Sequence, residues 1–171
     1  MTRHGRREPR GFTLVELAVA IAVIAVVTAL LLNRFAYHQE MAEKAAMESV
    51  LRVVKTGLQL RLAELIATQR QGQAAALELE DPMRWLDARP HNYGGVYGEA
   101  ADPGKWYFDP GRRHLVYVVN SGDRLEIDRG EGAKELRFQS RLLKDRIVFA
   151  GGAVEAVTAV TLTPVTPYRW Q

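Results

Sequence analysis

The feature of this sequence that most constrains its fold is an apolar run over residues 12–32, near the N-terminus. The run holds 21 residues and one charged side chain, Glu16. As an α-helix rising about 1.5 Å per residue, it would be roughly 31 Å long, enough to cross the hydrocarbon core of a bilayer. The sequence therefore predicts one membrane-spanning helix.

Basic residues flank this run unequally. Arg3, Arg6, Arg7 and Arg10 precede it, whereas Arg34 alone follows it closely. Under the positive-inside rule, the N-terminal tail stays in the cytoplasm and the rest of the chain is exported. We therefore expect a single-pass protein whose larger, C-terminal part lies outside the cytoplasm.

The net charge of +3 and the pI near 9.3 could indicate a nucleic-acid partner, but the charge is concentrated in the tail. Residues 1–11 hold four of the 23 basic and one of the 20 acidic residues, which leaves 19 of each sign elsewhere. An electroneutral remainder does not predict nucleic-acid binding. The sequence has no cysteine, so disulfides, thiol catalysis and cysteine-ligated metals are excluded.

Glu16 needs an explanation, because a carboxylate inside an apolar run costs about 2.5–3.5 kcal/mol near the bilayer centre and less near its edge. An ordinary uncleaved anchor accounts for the length of the run but not for this charge. A secretory signal peptide cut after Ala29, behind Val27 and Thr28, does not account for it either. Glu16 is therefore a candidate functional residue.

The hexapeptide GFTLVE at residues 11–16, behind a basic leader and ahead of an unbroken apolar helix, resembles the processing signature of type IV pilins and type II secretion pseudopilins. The resemblance implies that a prepilin peptidase cuts between Gly11 and Phe12 and that Phe12 is then N-methylated. It implies further partners: an inner-membrane assembly platform, other pilin-like subunits of a helical filament, and the bilayer before assembly. It also implies storage in the bacterial inner membrane, with a periplasmic head, and then entry into a periplasmic pseudopilus or an extracellular pilus.

The proposed cut would change the charge at Phe12. The liberated α-amine has a reference pKa near 7.7–8, so it is mostly protonated at neutral pH. Phe12 and Glu16 are four residues apart and share one helix face. In a bundle of staggered helices, the amine of one subunit can pair with Glu16 of another and relieve the cost of a buried carboxylate. The resemblance likewise ties Glu16 to methylation and subunit docking.

One departure from the family pattern bears on the type of subunit. Many relatives break the late apolar segment with glycine or proline, whereas this chain has Ala25 in its middle and Asn33 at its end. We therefore expect a minor subunit. Secretion, twitching, adhesion and DNA uptake all remain open as the system that it serves.

Residues 34–72 are expected to continue the helix as its amphipathic half. They lack proline, and Gly57 is the one glycine before Gly72, at the expected helix end in residues 71–73. Apolar residues recur at three- and four-residue spacing, which predicts a face that packs against a globular domain. These residues are Met47, Val50, Leu51, Val54, Leu58, Leu62, Leu65 and Ile66.

The remaining chain predicts a connecting loop at residues 73–103 and a β-sheet head at residues 104–171. Asp81-Pro82 indicates a short helical turn within the loop. Turn residues separate six extended runs, at 105–109, 113–120, 125–128, 135–142, 146–149 and 154–163. We expect three or four antiparallel strands from these runs to pack one face on the helix. The expected fold class is α+β, with the long N-terminal helix packed against a small antiparallel sheet.

The sequence shows no catalytic constellation. Serines lie outside any nucleophile-elbow context, and His38, His91 and His114 are too widely spaced to form a ligand pair. Four acidic residues at 123–131 could hold a cation, although a solvated loop is the simpler interpretation. We predict no enzyme activity, metal or cofactor. The alternative is a membrane-anchored periplasmic binding protein or enzyme that is not cut at Gly11.

Overall fold

The computed structural model describes residues 13–128, 134–149 and 152–170, and the chain divides into two units at residues 39 and 40. The described residues form two α-helices, α1 (Leu14–Ala67) and α2 (Ala76–Leu79). Two 3-10 helices cover Gln71–Gln73 and Pro82–Trp85. The strands are β1 (Tyr93–Val96), β2 (Trp106–Asp109), β3 (His114–Val118), β4 (Leu125–Ile127), β5 (Glu135–Phe149), β6 (Gly152–Pro164) and β7 (Tyr168–Trp170).

In the second unit, one face of α1 packs into the hydrophobic core. The buried residues of this face recur at the predicted helical spacing and are Met47, Val54, Leu58, Leu62 and Leu65. Val50 and Leu51 lie at its margin, half-buried, whereas Ile66 is 40% exposed and lies outside the core. The predicted core face is confirmed except at this last residue.

The helix ends at Ala67, four residues before the predicted end at residues 71–73. Gln69 adopts a left-handed conformation with φ of 57°, which L-residues cannot continue as a helix. Its N–H donates to the carbonyl of Ile66, and the N–H of Arg70 donates to the carbonyl of Leu65. These bonds form a Schellman cap, which normally has glycine at the left-handed position. Because Gln69 occupies that position, the sequence carries no glycine signal for the helix end.

Gly57 lies where another segment approaches α1 closely. A Cβ atom at this position would lie 2.7 Å from Leu86 Cδ2 and 3.3 Å from the carbonyl oxygen of Trp85. The glycine therefore leaves room for the segment that follows the second 3-10 helix. Asp81 caps that 3-10 helix by accepting a hydrogen bond from the N–H of Met83 at 2.9 Å, as the Asp81-Pro82 pair predicted.

The head is a sheet in the order β1-β2-β3-β5-β6, beside a second sheet of β4 and β7. The α+β class is confirmed, as is the antiparallel pairing of the strands predicted at residues 105–109 and 113–120, here β2 and β3. The sheet is not wholly antiparallel as predicted, because β1 pairs parallel to β2. Both β1 and β7 were missed, since each is only three or four residues long.

The two runs predicted at residues 135–142 and 146–149 form one strand, β5, so the prediction of two separate strands was wrong. The polar residues between them belong to a register shift at Leu143 and Lys144 rather than to a turn. Thr158 of β6 is the extra residue at this shift. A bulge lets a strand continue through residues that look like a break in the sequence.

Candidate functional site

The expected processing site, Gly11 and Phe12, lies outside the described residues. Directly after it, α1 begins at Leu14, and Thr13 precedes its first turn. The N–H of Glu16 donates to Thr13 Oγ1 at 3.2 Å. Thr13 thus caps the helix, and Glu16 stands three residues later, although its carboxylate makes no return bond to Thr13. The pattern T-x-x-E is visible in the sequence, but its capping role was not recognised there.

The apolar part of α1 exposes its side chains within the first unit. Its large hydrophobic residues are between 49% exposed, at Val27, and 84% exposed, at Leu14. Among the described residues, α1 is the one helix that is both long enough and apolar enough to cross a membrane. An apolar surface of this kind is stable in lipid or against other helices.

Glu16 is exposed on this apolar surface, in the first turn of α1. Its backbone N–H is capped, but no hydrogen bond or ion pair of its carboxylate involves a described residue. The helix dipole favours a negative charge at this position. The site therefore presents an acceptor that a cation from outside the described residues can approach.

A second group of acidic side chains lies on α1 at the start of the second unit. Glu40 is only 2% exposed. Its carboxylate accepts hydrogen bonds from the N–H of Arg124 at 2.9 Å and from Trp170 Nε1 at 2.9 Å. The Arg124 guanidinium lies 3.3 Å from it as an ion pair. A buried carboxylate with three donors is satisfied within the chain.

Glu43 and Lys44 extend this arrangement. Glu43 accepts from the hydroxyl of Tyr117 at 3.0 Å, from the N–H of Asn120 at 2.7 Å and from that of Ser121 at 2.8 Å. Lys44 Nζ donates to the carbonyl of Trp170 at 2.6 Å. We call Glu40, Glu43 and Lys44 the helix clamp. It ties α1 to the turn after β3 and to β7.

Burial and the charge of Glu43 raise the pKa of the Tyr117 hydroxyl, so it stays protonated and remains a donor in the clamp. The helix clamp was not predicted from the sequence. A signal was available, because Glu40, Glu43 and Lys44 follow the apolar run within one helical turn of one another. Their partners lie more than 70 residues away, and the sequence does not predict that distance.

A charged cluster also lies on the outer face of the sheet. Arg137 pairs with Asp109 at 3.1 Å and with Glu135 at 2.8 Å, and the Tyr97 hydroxyl donates to Glu135. This bond is the main cause of the raised pKa of Tyr97. Burial lowers the pKa of His114 and the nearby Arg137 lowers it further. The charges satisfy one another, which is the arrangement of a structural network.

The other candidate residues do not form a site. Trp106, Tyr107 and Phe108 of β2 are buried, so this run of aromatic side chains does not form an exposed recognition surface. Asp123, Glu126 and Asp128 belong to no group of three potential metal ligands within the described part of the chain. Glu131, the fourth acidic residue of that loop, lies outside the described residues.

The comparisons with known proteins point to the N-terminal segment. The family model of the prokaryotic N-terminal methylation motif matches residues 6–32, which include Gly11, Phe12 and Glu16. No curated protein and no solved structure matches the chain significantly. Together with the long helix and the small sheet behind it, this motif supports membership of the type IV pilin and pseudopilin superfamily. The chain thus carries, at its N-terminus, the methylation motif that is typical of type IV pilin-like proteins.

Proposed function

We propose that this chain is a minor structural subunit of a type IV pilus or a type II secretion pseudopilus. Prepilin peptidase cuts it between Gly11 and Phe12, and Phe12 is N-methylated. The cut removes residues 1–11, whose arginines hold the precursor at the cytoplasmic face. The chain acts as a building block and not as an enzyme.

The observation that carries this proposal is the contrast between Glu16 and its surroundings. Glu16 is exposed in an apolar helix surface, and its carboxylate has no partner among the described residues. The α-amine of Phe12 in a neighbouring subunit supplies a cation of the right size and charge. In a dry bundle of helices, this pair stabilises one axial register between subunits, because other registers leave Glu16 unpaired.

Before assembly, residues 12–33 reside in the bacterial inner membrane and the head lies in the periplasm. The inner-membrane assembly platform then moves the subunit into a filament of other pilin-like chains. The unbroken course of α1 from Leu14 to Ala67 supports the minor-subunit role. A helix without glycine or proline in its apolar half resists local melting during this step.

Mass spectrometry of the N-terminal peptide, isolated from the native host, tests the processing step. A chain that begins with methylated Phe12 is the expected result. A chain that still begins with residues 1–11 overturns the proposal and favours the membrane-anchored alternative. A chain that begins at Leu30 indicates an ordinary signal peptide instead.

The role of Glu16 is tested separately by Glu16→Val, with Leu17→Val as the matched control on the next residue. The Glu16→Val precursor should be inserted and cut normally, yet enter filaments at least about ten-fold less than wild type, since a pairing worth more than 1.4 kcal/mol is lost. Leu17→Val should assemble normally. Normal incorporation of Glu16→Val removes the proposed role of this carboxylate.

A further inference from the structure

We propose that Arg34 pairs with Glu16 of a second copy of this chain, which lies parallel to the first and is displaced by eighteen residues along the helix axis. This proposal rests on the proposed function, because it adds a second contact to the bundle of helices in the filament. The Phe12 amine and the Arg34 guanidinium come from different neighbours, and the two oxygens of the Glu16 carboxylate accept from both. Arg34 is thus a positioning residue for assembly.

The first observation is that Arg34 is exposed and unpaired on an apolar surface. No hydrogen bond, ion pair or ring contact of its guanidinium involves a described residue. Leu30 and Phe35, near it on the helix, are 64% and 61% exposed. In the membrane-stored chain, the long side chain of Arg34 reaches the aqueous edge of the bilayer. In a bundle of helices the guanidinium is enclosed, and an enclosed charge needs a counterion.

The second observation is the spacing of the two charges. Arg34 follows Glu16 by eighteen residues, which is about five turns at 3.6 residues per turn. Both residues therefore lie on the same face of α1, about 27 Å apart. Residues 17–33 between them hold no charge. One helix face thus carries an unpaired negative charge at one end of an uncharged stretch and an unpaired positive charge at the other.

This arrangement is self-complementary, which favours a second copy as the partner. When two parallel copies face each other with the displacement of eighteen residues, Glu16 of one lies beside Arg34 of the other. Two charges that are each costly in an apolar bundle then neutralise one another. Without the displacement, Glu16 would lie beside Glu16 and Arg34 beside Arg34, so like charges would meet.

The displacement also distinguishes the assembled chain from the stored one. Two copies that span the same bilayer are parallel and lie at the same depth, so Glu16 of one and Arg34 of the other remain about 27 Å apart along the membrane normal. A staggered bundle keeps the copies parallel but displaces them along the axis. The pair therefore stabilises the filament and not the membrane-stored state.

The absence of cysteine in the sequence allows a test by disulfide trapping in the full-length chain, in its native host. Ala20 follows Glu16 by four residues and His38 follows Arg34 by four, so the two have the same displacement and share a face. Cells that produce both Ala20→Cys and His38→Cys chains are oxidised, and non-reducing electrophoresis measures the mixed dimer. We expect this dimer in the filament fraction, and none in cells without prepilin peptidase, where the chain stays in the membrane.

Ala29→Cys is the matched control for Ala20→Cys. Ala29 lies nine residues after Ala20, about two and a half turns away, so it is on the opposite face of α1. In a mixture with His38→Cys, it should give roughly ten-fold less dimer than Ala20→Cys, since a disulfide requires Cβ atoms about 3.5–4.5 Å apart.

The charge of Arg34 is tested by Arg34→Gln. Arg52→Gln is the matched control, because Arg52 is an exposed arginine of the same helix that already has a partner, Glu48 at 3.9 Å. Arg34→Gln should be inserted and cut like wild type, yet enter filaments roughly ten-fold less, whereas Arg52→Gln should assemble normally. Arg34→Lys keeps the charge and should recover most of this loss. Added to Glu16→Val, Arg34→Gln should cause no further loss, because the two residues act as one pair.

Four results would overturn the proposal: no cross-link between Ala20→Cys and His38→Cys in filaments, equal cross-linking of the control mixture, a cross-linked band of another mass, or normal incorporation of Arg34→Gln. If Arg34→Gln assembles normally and Glu16→Val does not, the pairing with Arg34 is wrong and the proposed function is retained. A chain that mass spectrometry finds uncut at Gly11 overturns the proposed function instead.

Discussion

Glu16 and Glu40 lie on the same helix, and the chain treats their carboxylates in opposite ways. Glu40 is buried and accepts two hydrogen bonds and an ion pair from residues more than 80 positions away. Glu16 is exposed on an apolar surface, and its carboxylate has no partner among the described residues. The difference identifies which charge serves the fold and which one is available to another molecule.

The same contrast extends to the apolar side chains around the two residues. Beyond Glu40, one face of α1 directs its large hydrophobic residues into a core. Around Glu16 they are exposed on every side of the helix. One half of α1 is covered by the chain's own core, and the other half is exposed. This arrangement suits a head that folds alone and a stem that needs lipid or neighbouring helices.

The largest expected effect comes from breaking the helix clamp with Glu40→Ala. This change leaves Trp170 Nε1 buried without its acceptor and removes the hydrogen bond and ion pair that Glu40 makes with Arg124, so the free energy of unfolding should fall by about 3 kcal/mol. Glu40→Gln keeps one acceptor oxygen and should lose less. Urea denaturation followed by tryptophan fluorescence measures both values.

Glu48→Ala is the control for this prediction, because Glu48 is on the same helix but exposed, 3.9 Å from Arg52. An exposed pair of this kind is worth less than about 1 kcal/mol. If Glu40→Ala is as stable as Glu48→Ala, Glu40 does not serve the fold, and the contrast with Glu16 is lost.

A second prediction concerns the close packing of the covered half of α1. Gly57→Ala gains about 1 kcal/mol of helix propensity but places its Cβ against the Trp85 carbonyl and Leu86, at a cost of about 1–3 kcal/mol. We expect a net loss of about 1 kcal/mol in the free energy of unfolding. Gly72→Ala, where the added Cβ meets nothing within 4 Å, should not destabilise the chain. Equal stability of the two variants would contradict this packing.

These residues show how much of the molecule its sequence predicts. The periodicity of α1 is local information, so the helix and its buried face are predicted, and the hexapeptide predicts the methylation motif. The helix clamp joins residues far apart in sequence, so local patterns do not reveal it. Lys44 illustrates this, because helical spacing suggests a partner at Glu48, whereas its ammonium donates to Trp170.

The strands show a second limit. A single strand with a bulge and two strands with a turn have similar local sequences, so β5 was divided in the prediction. Short strands such as β1 and β7 carry too few residues for alternation to be visible. What decides these cases is pairing with a distant strand, and therefore the tertiary structure.

A third prediction tests the polar support of the uncovered half of α1. Thr13→Ala removes the hydroxyl that caps the N–H of Glu16, at a cost of about 1 kcal/mol to the first turn. Hydrogen exchange of the Glu16 amide in detergent should become about five-fold faster. Thr13→Ser keeps the cap and should exchange like wild type. The free energy of unfolding of the head should not change in either variant.

The smallest expected effect is a loss of stability of the head in mild acid. Burial and Arg137 lower the pKa of His114 from 6.5, so the unfolded chain binds this proton more readily than the folded chain. The stabilisation is therefore complete above pH 6.5 and is lost as the pH falls below that value toward the lowered pKa. Measurements between pH 5 and 7 exclude most carboxylate titration, which occurs below that range, and the His114→Gln variant assigns the remaining effect to this residue. In urea denaturation, the free energy of unfolding of His114→Gln should fall less steeply with decreasing pH than that of wild type. An identical pH dependence of the two would mean that titration of His114 does not affect the stability of the head.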